Sequence, residues 1–182
     1  MTQELYQKAI KFAGEKHSEQ KVPGTNSNYL LHLSNVAMEV LIAHSFDDVF
    51  DIDFAVQIAL LHDTIEDTNT TFEDIKSNFG VAIAEAVQAL SKNETLQSKR
   101  EKMMDSLTRI NKLAKEVAIV KLADRITNLQ TPPRHWNKSK VISYCEEAKL
   151  ISSTLSDKNE YLNKRLSLKI TAYEKAIQTS SN

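Results

Sequence analysis

An apolar run, Phe54-Ala55-Val56-Gln57-Ile58-Ala59-Leu60-Leu61, passes without a Gly or Pro into His62-Asp63-Thr64-Ile65-Glu66-Asp67. At 3.6 residues per turn Phe54, Ile58, Leu61 and Ile65 fall on one stripe, while Ala55, Ala59, His62 and Glu66 fall on its neighbour. The spacing predicts a buried helix whose C-terminal end is crowded by an imidazole and three carboxylates. Like charges there repel, and the helix dipole disfavours carboxylates at a C-terminus. A cation at that end would relieve both penalties. An isolated His-Asp dipeptide is usually a surface pair, but here the ionisable groups continue a core-forming run, and matching ligands occur elsewhere in the chain.

The partners of such a helix are other helices. Gly and Pro number 3 each in 182 residues, which argues against a sandwich or a Gly-rich nucleotide-binding α/β fold. The length suits one domain, expected over 1–178, with a disordered tail at 179–182. The formal net charge of -1 offers no global field for nucleic acid or an anionic membrane. A single Cys145 fits a reducing compartment, and no signal peptide or continuous apolar run of spanning length is present, so a soluble cytoplasmic protein is expected.

In chain order, residues 2 to 17 read as a first amphipathic helix, and Ser18 to Asn28 as a loop with Gln20 and Lys21 at the mouth of a site. Tyr29 to about Ser45 is helical, with His32 near its start. Asp47, Asp48 and Asp51 belong to a turn, and Asp53 is expected to cap the central helix. Thr71 and Asp74 form a capping arrangement for a short helix that Gly80 stops, and Val81 to Leu90 is an Ala-rich helix. Lys92, in the polar loop that follows, is expected to be exposed. Ser98 to Ala114 reads as a helix with Met103, Met104, Leu107 and Ile110 inward.

Val117 to Leu129 turns Ile119, Leu122, Ile126 and Leu129 to the core, while Lys121, Asp124 and Asn128 align on another face at i, i+3 and i+7. Three polar groups aligned on a buried helix need a shared partner, which makes Asp124 a further ligand candidate. The alternative is an internal ion pair of Asp124 with Arg125 or Lys121. Thr131 to Trp136 breaks the helix. Long helices then run over Lys138 to Leu155 and Asp157 to Ile177. Trp136, Lys140 and Tyr144 share a face at spacings of four, an arrangement that suits either a nucleobase with its phosphates or a packed helix start.

Two imidazoles and two carboxylates, His32, His62, Asp63 and Asp124, suit Mn²⁺, Fe²⁺ or Co²⁺ better than structural Zn²⁺. Glu66 and Asp67 are left to orient or deprotonate a water. This combination predicts hydrolysis at phosphorus.

Tyr29-Leu30-Leu31-His32, then His62-Asp63-Thr64-Ile65-Glu66-Asp67, then Lys121-Leu122-Ala123-Asp124-Arg125 resemble the ordered motifs of the HD superfamily. More narrowly, they resemble the hydrolase domain of the Rel/SpoT family and its small stand-alone relatives. The resemblance implies an all-α HD-domain bundle of about eight to ten helices. It also implies a Mn²⁺-dependent enzyme that removes the 3′-pyrophosphate of the alarmone (p)ppGpp, giving GDP or GTP and pyrophosphate in the stringent response. It places the metal on His32, His62, Asp63 and Asp124 and water activation on Glu66 and Asp67. Ribose contact falls on Asn128, and Lys21, Lys121, Trp136, Lys140 and Tyr144 are the remaining substrate contacts. No synthetase or regulatory domain is expected in the rest of the chain, and homodimer formation stays open.

Three positions depart from the family pattern: Leu33 stands for the usual Pro, Thr127 for the usual His, and Lys21 for the Arg that stacks on guanine. Lys lacks the planar guanidinium, so adenine-containing alarmones such as ppApp, or NADPH, are open as substrates. The alternatives to the leading reading are another HD-type nucleotide phosphohydrolase, such as an NADPH phosphatase, and a nucleotide-binding module without turnover.

Overall fold

A computed structural model describes residues 2–132 and 136–179. Among them the chain forms ten helices and no strand; the one β-type pairing is an isolated antiparallel bridge between Lys21 and Asn28. The all-α expectation therefore holds. Of the expected tail, Thr179 ends the last helix and the remainder lies outside the described residues, as do residues 133–135 of the expected break.

The first four helices are α1 (Thr2–Lys16), α2 (Leu30–Phe46), α3 (Ile52–Leu61) and the single turn α4 (Thr64–Asp67). Next come α5 (Phe72–Phe79), α6 (Val81–Leu90) and α7 (Lys99–Ile110), then α8 (Lys115–Asn128), α9 (Lys138–Thr154) and α10 (Glu160–Thr179). The innermost are α3 and α8. Ala55, Val56, Ile58, Ala59, Leu60 and Leu61 of α3, and Val117 to Val120, Leu122, Ala123 and Ile126 of α8, are buried. α1, α2 and α8 pack around α3, and α2 and α10 cover α8. Alanines at Ala9, Ala13, Ala37, Ala55, Ala59 and Ala123, all 0% exposed, let these helices approach closely. Each fully buried Leu or Ile contributes about 1.5–3 kcal/mol by leaving water. Among the described residues no helix is long and apolar enough to cross a membrane.

Local signals explain most boundaries. Thr71 and Asp74 complete a capping box at the start of α5, and Ser98 and Glu101 do the same for α7. Gly80, at φ 91°, makes the corner between α5 and α6 in a backbone region that favours glycine. The central helix is capped by Asp51 and not by Asp53: the Asp51 side chain accepts from the Phe54 N–H, and Asp53 lies inside the first turn. The expected Ser98–Ala114 helix stops at Ile110, because a turn through Asn111 to Ala114 reorients the chain into α8. Met103 is buried as expected, whereas Met104 is 42% exposed on the outer face of α7.

The helix carrying Phe54 does not run through to Asp67. Thr64 Oγ1 donates to the Leu61 carbonyl at 2.6 Å, occupying the acceptor that the next helical turn would use, and Asp63 adopts φ -99° and ψ -2°. The chain restarts with the Asp67 N–H on the Asp63 carbonyl at 2.8 Å. Glu66 and Asp67 thus belong to a turn of their own and escape the dipole penalty expected at the end of α3.

Candidate metal centre and active site

Three helices converge to build the centre. α2 supplies His32 from its first turn, the break after α3 supplies His62 and Asp63, and α8 supplies Asp124. His32 Nε2 lies 3.3 Å from His62 Nε2, 3.6 Å from Asp63 Oδ2 and 3.5 Å from Asp124 Oδ1. His62 Nε2 lies 3.0 Å from Asp63 Oδ2 and 3.8 Å from Asp124 Oδ1. His32, His62 and Asp124 are buried, and their ligand atoms lie within 4.8 Å of one another. His62 Nδ1 donates to the Ala59 carbonyl at 2.8 Å, which turns the Nε2 lone pair toward the centre.

Electrostatics point the same way. Burial disfavours charge on both rings, but the Asp63 and Asp124 carboxylates outweigh it and hold both imidazoles above the usual histidine range, His62 well above. Burial likewise disfavours the carboxylates, yet His62 chiefly pulls Asp63 well below its ordinary range, and Lys121 chiefly does so for Asp124. A buried and a partly buried carboxylate around a common point demand positive charge between them, from protons on the rings or from a metal cation. The donor set, two imidazole nitrogens and two carboxylates with no thiolate, fits a divalent metal.

Beside this centre lie Glu66 and Asp67, held differently. Both Glu66 oxygens are engaged by Lys92, one by its backbone N–H at 2.9 Å and the other by its ammonium group. Lys92, expected to be merely exposed, is thus tied to the site, and the Glu66 charge outweighs partial burial to keep its ammonium protonated. Among the described residues Asp67 has a single side-chain partner, the Gln20 amide, donating to Oδ2 at 2.9 Å. Its rim is open to water, yet the protein body on its other side, then the Asp63 and Glu66 charges, hold its carboxyl above the usual range against the pull of Gln20.

Residues 9–155 match the HD domain family. The chain belongs to that family. It is 32% identical over 162 residues to guanosine-3′,5′-bis(diphosphate) 3′-pyrophosphohydrolase MESH1 of Danio rerio, a match covering 86% of this chain and 87% of that protein. The Xenopus tropicalis MESH1 is 32% identical over 167 residues, covering 89% and 90%. The solved structure of a metazoan ortholog of SpoT that hydrolyzes ppGpp superposes with a TM-score of 0.79 at 24% identity, covering 92% of this chain and 94% of that one. Within the HD domain the chain is therefore of the small stand-alone Rel/SpoT type.

A cavity of about 540 Å³ opens onto the centre of this HD domain through His32 and Asn128. Val22 to Thr25, Thr131, Trp136 and Tyr144 form other parts of its wall. Lys121 pairs with Asp124 at 3.4 Å and the Asn128 amide donates to Asp124 at 2.5 Å, so the aligned face of α8 meets at that carboxylate. Arg125 turns away to Glu147 at 3.4 Å and to the Tyr144 ring, 4.5 Å from its centroid. Trp136 and Tyr144 meet edge to face at 5.2 Å, with the Lys140 ammonium 4.2 Å from the Trp136 centroid. Burial pushes the Tyr144 phenol up to about 12. Lys140 and Lys21 are exposed and neither contributes to the cavity wall; it is the residues after Lys21 that do.

Sequence reasoning missed several contributors. Tyr29 donates its hydroxyl to Asp63 Oδ2 at 2.6 Å, and burial followed by the Asp63 charge raises its pKa so that it stays a donor. Asn35, one turn after His32, lines the cavity, as does Thr127, whose hydroxyl is buried without a partner among the described residues. The i+3 spacing from His32 was available as a signal for Asn35. Leu33 is wholly buried, a packing residue.

Proposed function

We propose that this chain is a metal-dependent hydrolase that removes the 3′-pyrophosphate of (p)ppGpp-like nucleotides, releasing pyrophosphate and GDP or GTP. The observation that carries the proposal is the convergence of the buried His32, His62 and Asp124 with the partly buried Asp63 at one end of a nucleotide-sized cavity, with the Glu66-Asp67 pair beside it. The names of the related proteins over most of this chain's length support it. Mn²⁺ is our choice of metal, since mixed imidazole and carboxylate ligation suits it, with Fe²⁺ and Co²⁺ as alternatives. When bound, the ion supplies positive charge that acidifies water and polarises a phosphoryl oxygen.

The chain's own groups divide the remaining work. Hydrolysis joins a water oxygen to phosphorus and breaks the bond from phosphorus to the ribose 3′ oxygen, so one proton must leave the water and one must reach the ribose. Asp67, with one oxygen free of side-chain partners among the described residues and a raised pKa, is the proton acceptor. Glu66, clamped through both oxygens by Lys92, orients the water. Lys121 and Lys92 bring positive charge to the phosphate end, and Asn128 faces the ribose side. Trp136 and Tyr144 form the aromatic wall for the base, with the Lys140 ammonium over Trp136 and the exposed Lys21 preceding the lining residue Val22. The free, buried Cys145 fits work in a reducing cytoplasm.

Incubating the Mn²⁺-loaded protein with ppGpp, ppApp and NADPH and identifying the products tests this reading. Pyrophosphate with GDP from ppGpp is the expected result. Orthophosphate from NADPH without pyrophosphate from either alarmone would make the chain a phosphatase instead, and tight nucleotide binding without turnover would make it a binding module.

A further inference from the structure

His17 ends the segment leading out of α1 and is 1% exposed, yet it belongs to none of the roles assigned so far. Its Nδ1 lies 2.6 Å from Gln20 Oε1, and the other end of that amide, Nε2, donates to Asp67 Oδ2 at 2.9 Å. The hydrogen placement follows from chemistry. A carboxylate only accepts, so the Gln20 NH₂ must face Asp67; its carbonyl then faces His17, and Nδ1 must carry the proton. The other ring nitrogen, Nε2, is buried and has no partner among the described residues. Burying an imidazole with one nitrogen unpaired costs stability, which a packing role alone does not explain. The same ring stacks on Tyr29, centroids 5.0 Å apart at 29°, and Tyr29 in turn donates to the metal-ligand candidate Asp63.

We propose that His17 is a positioning residue for water activation. Its Nδ1–H fixes the rotamer of Gln20, and Gln20 holds Asp67 by Oδ2 so that the remaining oxygen faces the reacting water. The chain His17, Gln20, Asp67 runs from the end of α1 across the loop that walls the cavity to the turn after α3. The main chain at Gln20 also ties that loop, since its backbone carbonyl accepts the Tyr29 N–H at 2.9 Å. One buried ring therefore sets the orientation of Asp67 through hydrogen bonds and supports Asp63 through Tyr29. The inference rests on the reading of Asp67 as proton acceptor.

The test separates hydrogen bonding from packing by a reversal. His17→Phe keeps an aromatic ring, of somewhat larger volume, to stack on Tyr29 but removes the Nδ1 donor. His17→Asn loses the ring yet places an amide NH₂ the same number of bonds from Cα as Nδ1. Metal content and pyrophosphate release from ppGpp are measured for both, beside Gln20→Leu, the His17→Phe/Gln20→Leu double variant and Asp67→Asn. We expect kcat to fall about 10–100-fold in His17→Phe and in Gln20→Leu, with KM and metal content unchanged. His17→Asn should recover to within about fivefold of wild type despite melting lower, and the double variant should be no slower than the worse single one. If His17→Asn is at least as slow as His17→Phe, or if neither His17→Phe nor Gln20→Leu lowers kcat, the relay is overturned. A wild type that releases no pyrophosphate would overturn the function itself, and Asp67→Asn at wild-type kcat would overturn the role of Asp67.

Discussion

The two ends of the cavity are built on opposite principles. At the metal end His32, His62 and Asp124 are 5%, 3% and 7% exposed and come from three helices that also form the core. Three of the four candidate ligands are held by polar contacts from outside the set, His62 by the Ala59 carbonyl, Asp63 by Tyr29 and Asp124 by Lys121 and Asn128, while the His32 ring packs on Tyr29 with centroids 5.1 Å apart. At the outer end Trp136, Lys140 and Tyr144 come from α9 and the residue pair before it, and they meet one another at helical spacing with their charged member in solvent. Geometry fixed by the fold tolerates little change, whereas a local stripe adjusts by degrees. The chemistry should therefore respond to substitution in an all-or-none manner and nucleotide recognition in a graded one.

The largest expected effect breaks the inner end. Asp63→Ala or His62→Ala removes a ligand and leaves the remaining buried charges without a complete shell, so metal and activity should both fall to background while helical content stays. Elemental analysis with far-UV circular dichroism decides this, and a variant holding stoichiometric metal at normal turnover would remove these residues from the centre.

Next in size is the carboxylate pair, which touches the chemistry without holding the metal. Glu66→Gln should keep the metal and lose about 10²–10⁴-fold in kcat, since orienting or proton-accepting groups contribute that much. A kcat within a few-fold of wild type would make Glu66 and its Lys92 clamp a surface ion pair.

These inner contacts show what a linear reading reaches. The HD and Glu-Asp residues were legible because a buried run cannot end in an imidazole and three carboxylates without a reason, and Asp124 because polar groups aligned on a core helix need a partner. The capping boxes and Gly80 were legible because their chemistry is local. Tyr29 on Asp63 and Lys92 on Glu66 join positions 34 and 26 residues apart, and no local pattern records such contacts. The break after Leu61 was hidden for a different reason: a single Thr hydroxyl on a carbonyl interrupts a sequence whose period continues through it.

A smaller effect concerns the charge that the inner end demands. In the metal-free protein, folding raises both imidazoles above 6.5 and lowers both carboxylates below 3.8. The raised imidazoles contribute stability that is complete below 6.5 and lost as pH climbs through their folded values. The carboxylate contribution is complete above 3.8 and lost on acidification through their depressed folded values. Metal-free protein should therefore melt progressively lower above 6.5, by about 2–4 °C for each kcal/mol lost. Metal-loaded protein should hold its Tm over the same range, because the ion's charge does not titrate. Melting curves with and without Mn²⁺ check this, and a metal-free Tm that is level or rising from about pH 6.5 to 9 would refute the charge balance.

The smallest effects belong to the outer end, where the fold exerts the least grip. Trp136 is half-buried in the cavity wall, so Trp136→Ala should raise KM for ppGpp and ppApp alike, base stacking on an aromatic being worth about 1–3 kcal/mol whichever purine is present. Lys21 is exposed and does not contribute to the wall, and its ammonium cannot present a planar fork to guanine. The preference between the two purines should consequently be shallow, about tenfold in kcat/KM, and Lys21→Arg should sharpen it toward guanine by about the same factor or less. Measuring kcat/KM for both nucleotides in wild type and the two variants sets the scale. A wild-type preference beyond about a thousandfold that Lys21→Arg leaves unchanged exceeds what a flexible outer rim can supply. Discrimination would then lie with the polar groups that α2 and α8 bring to the same wall, Asn35 and Thr127. In that case recognition, like the chemistry, would be held by α2 and α8, and the contrast between the two ends would shrink to the aromatic stripe alone.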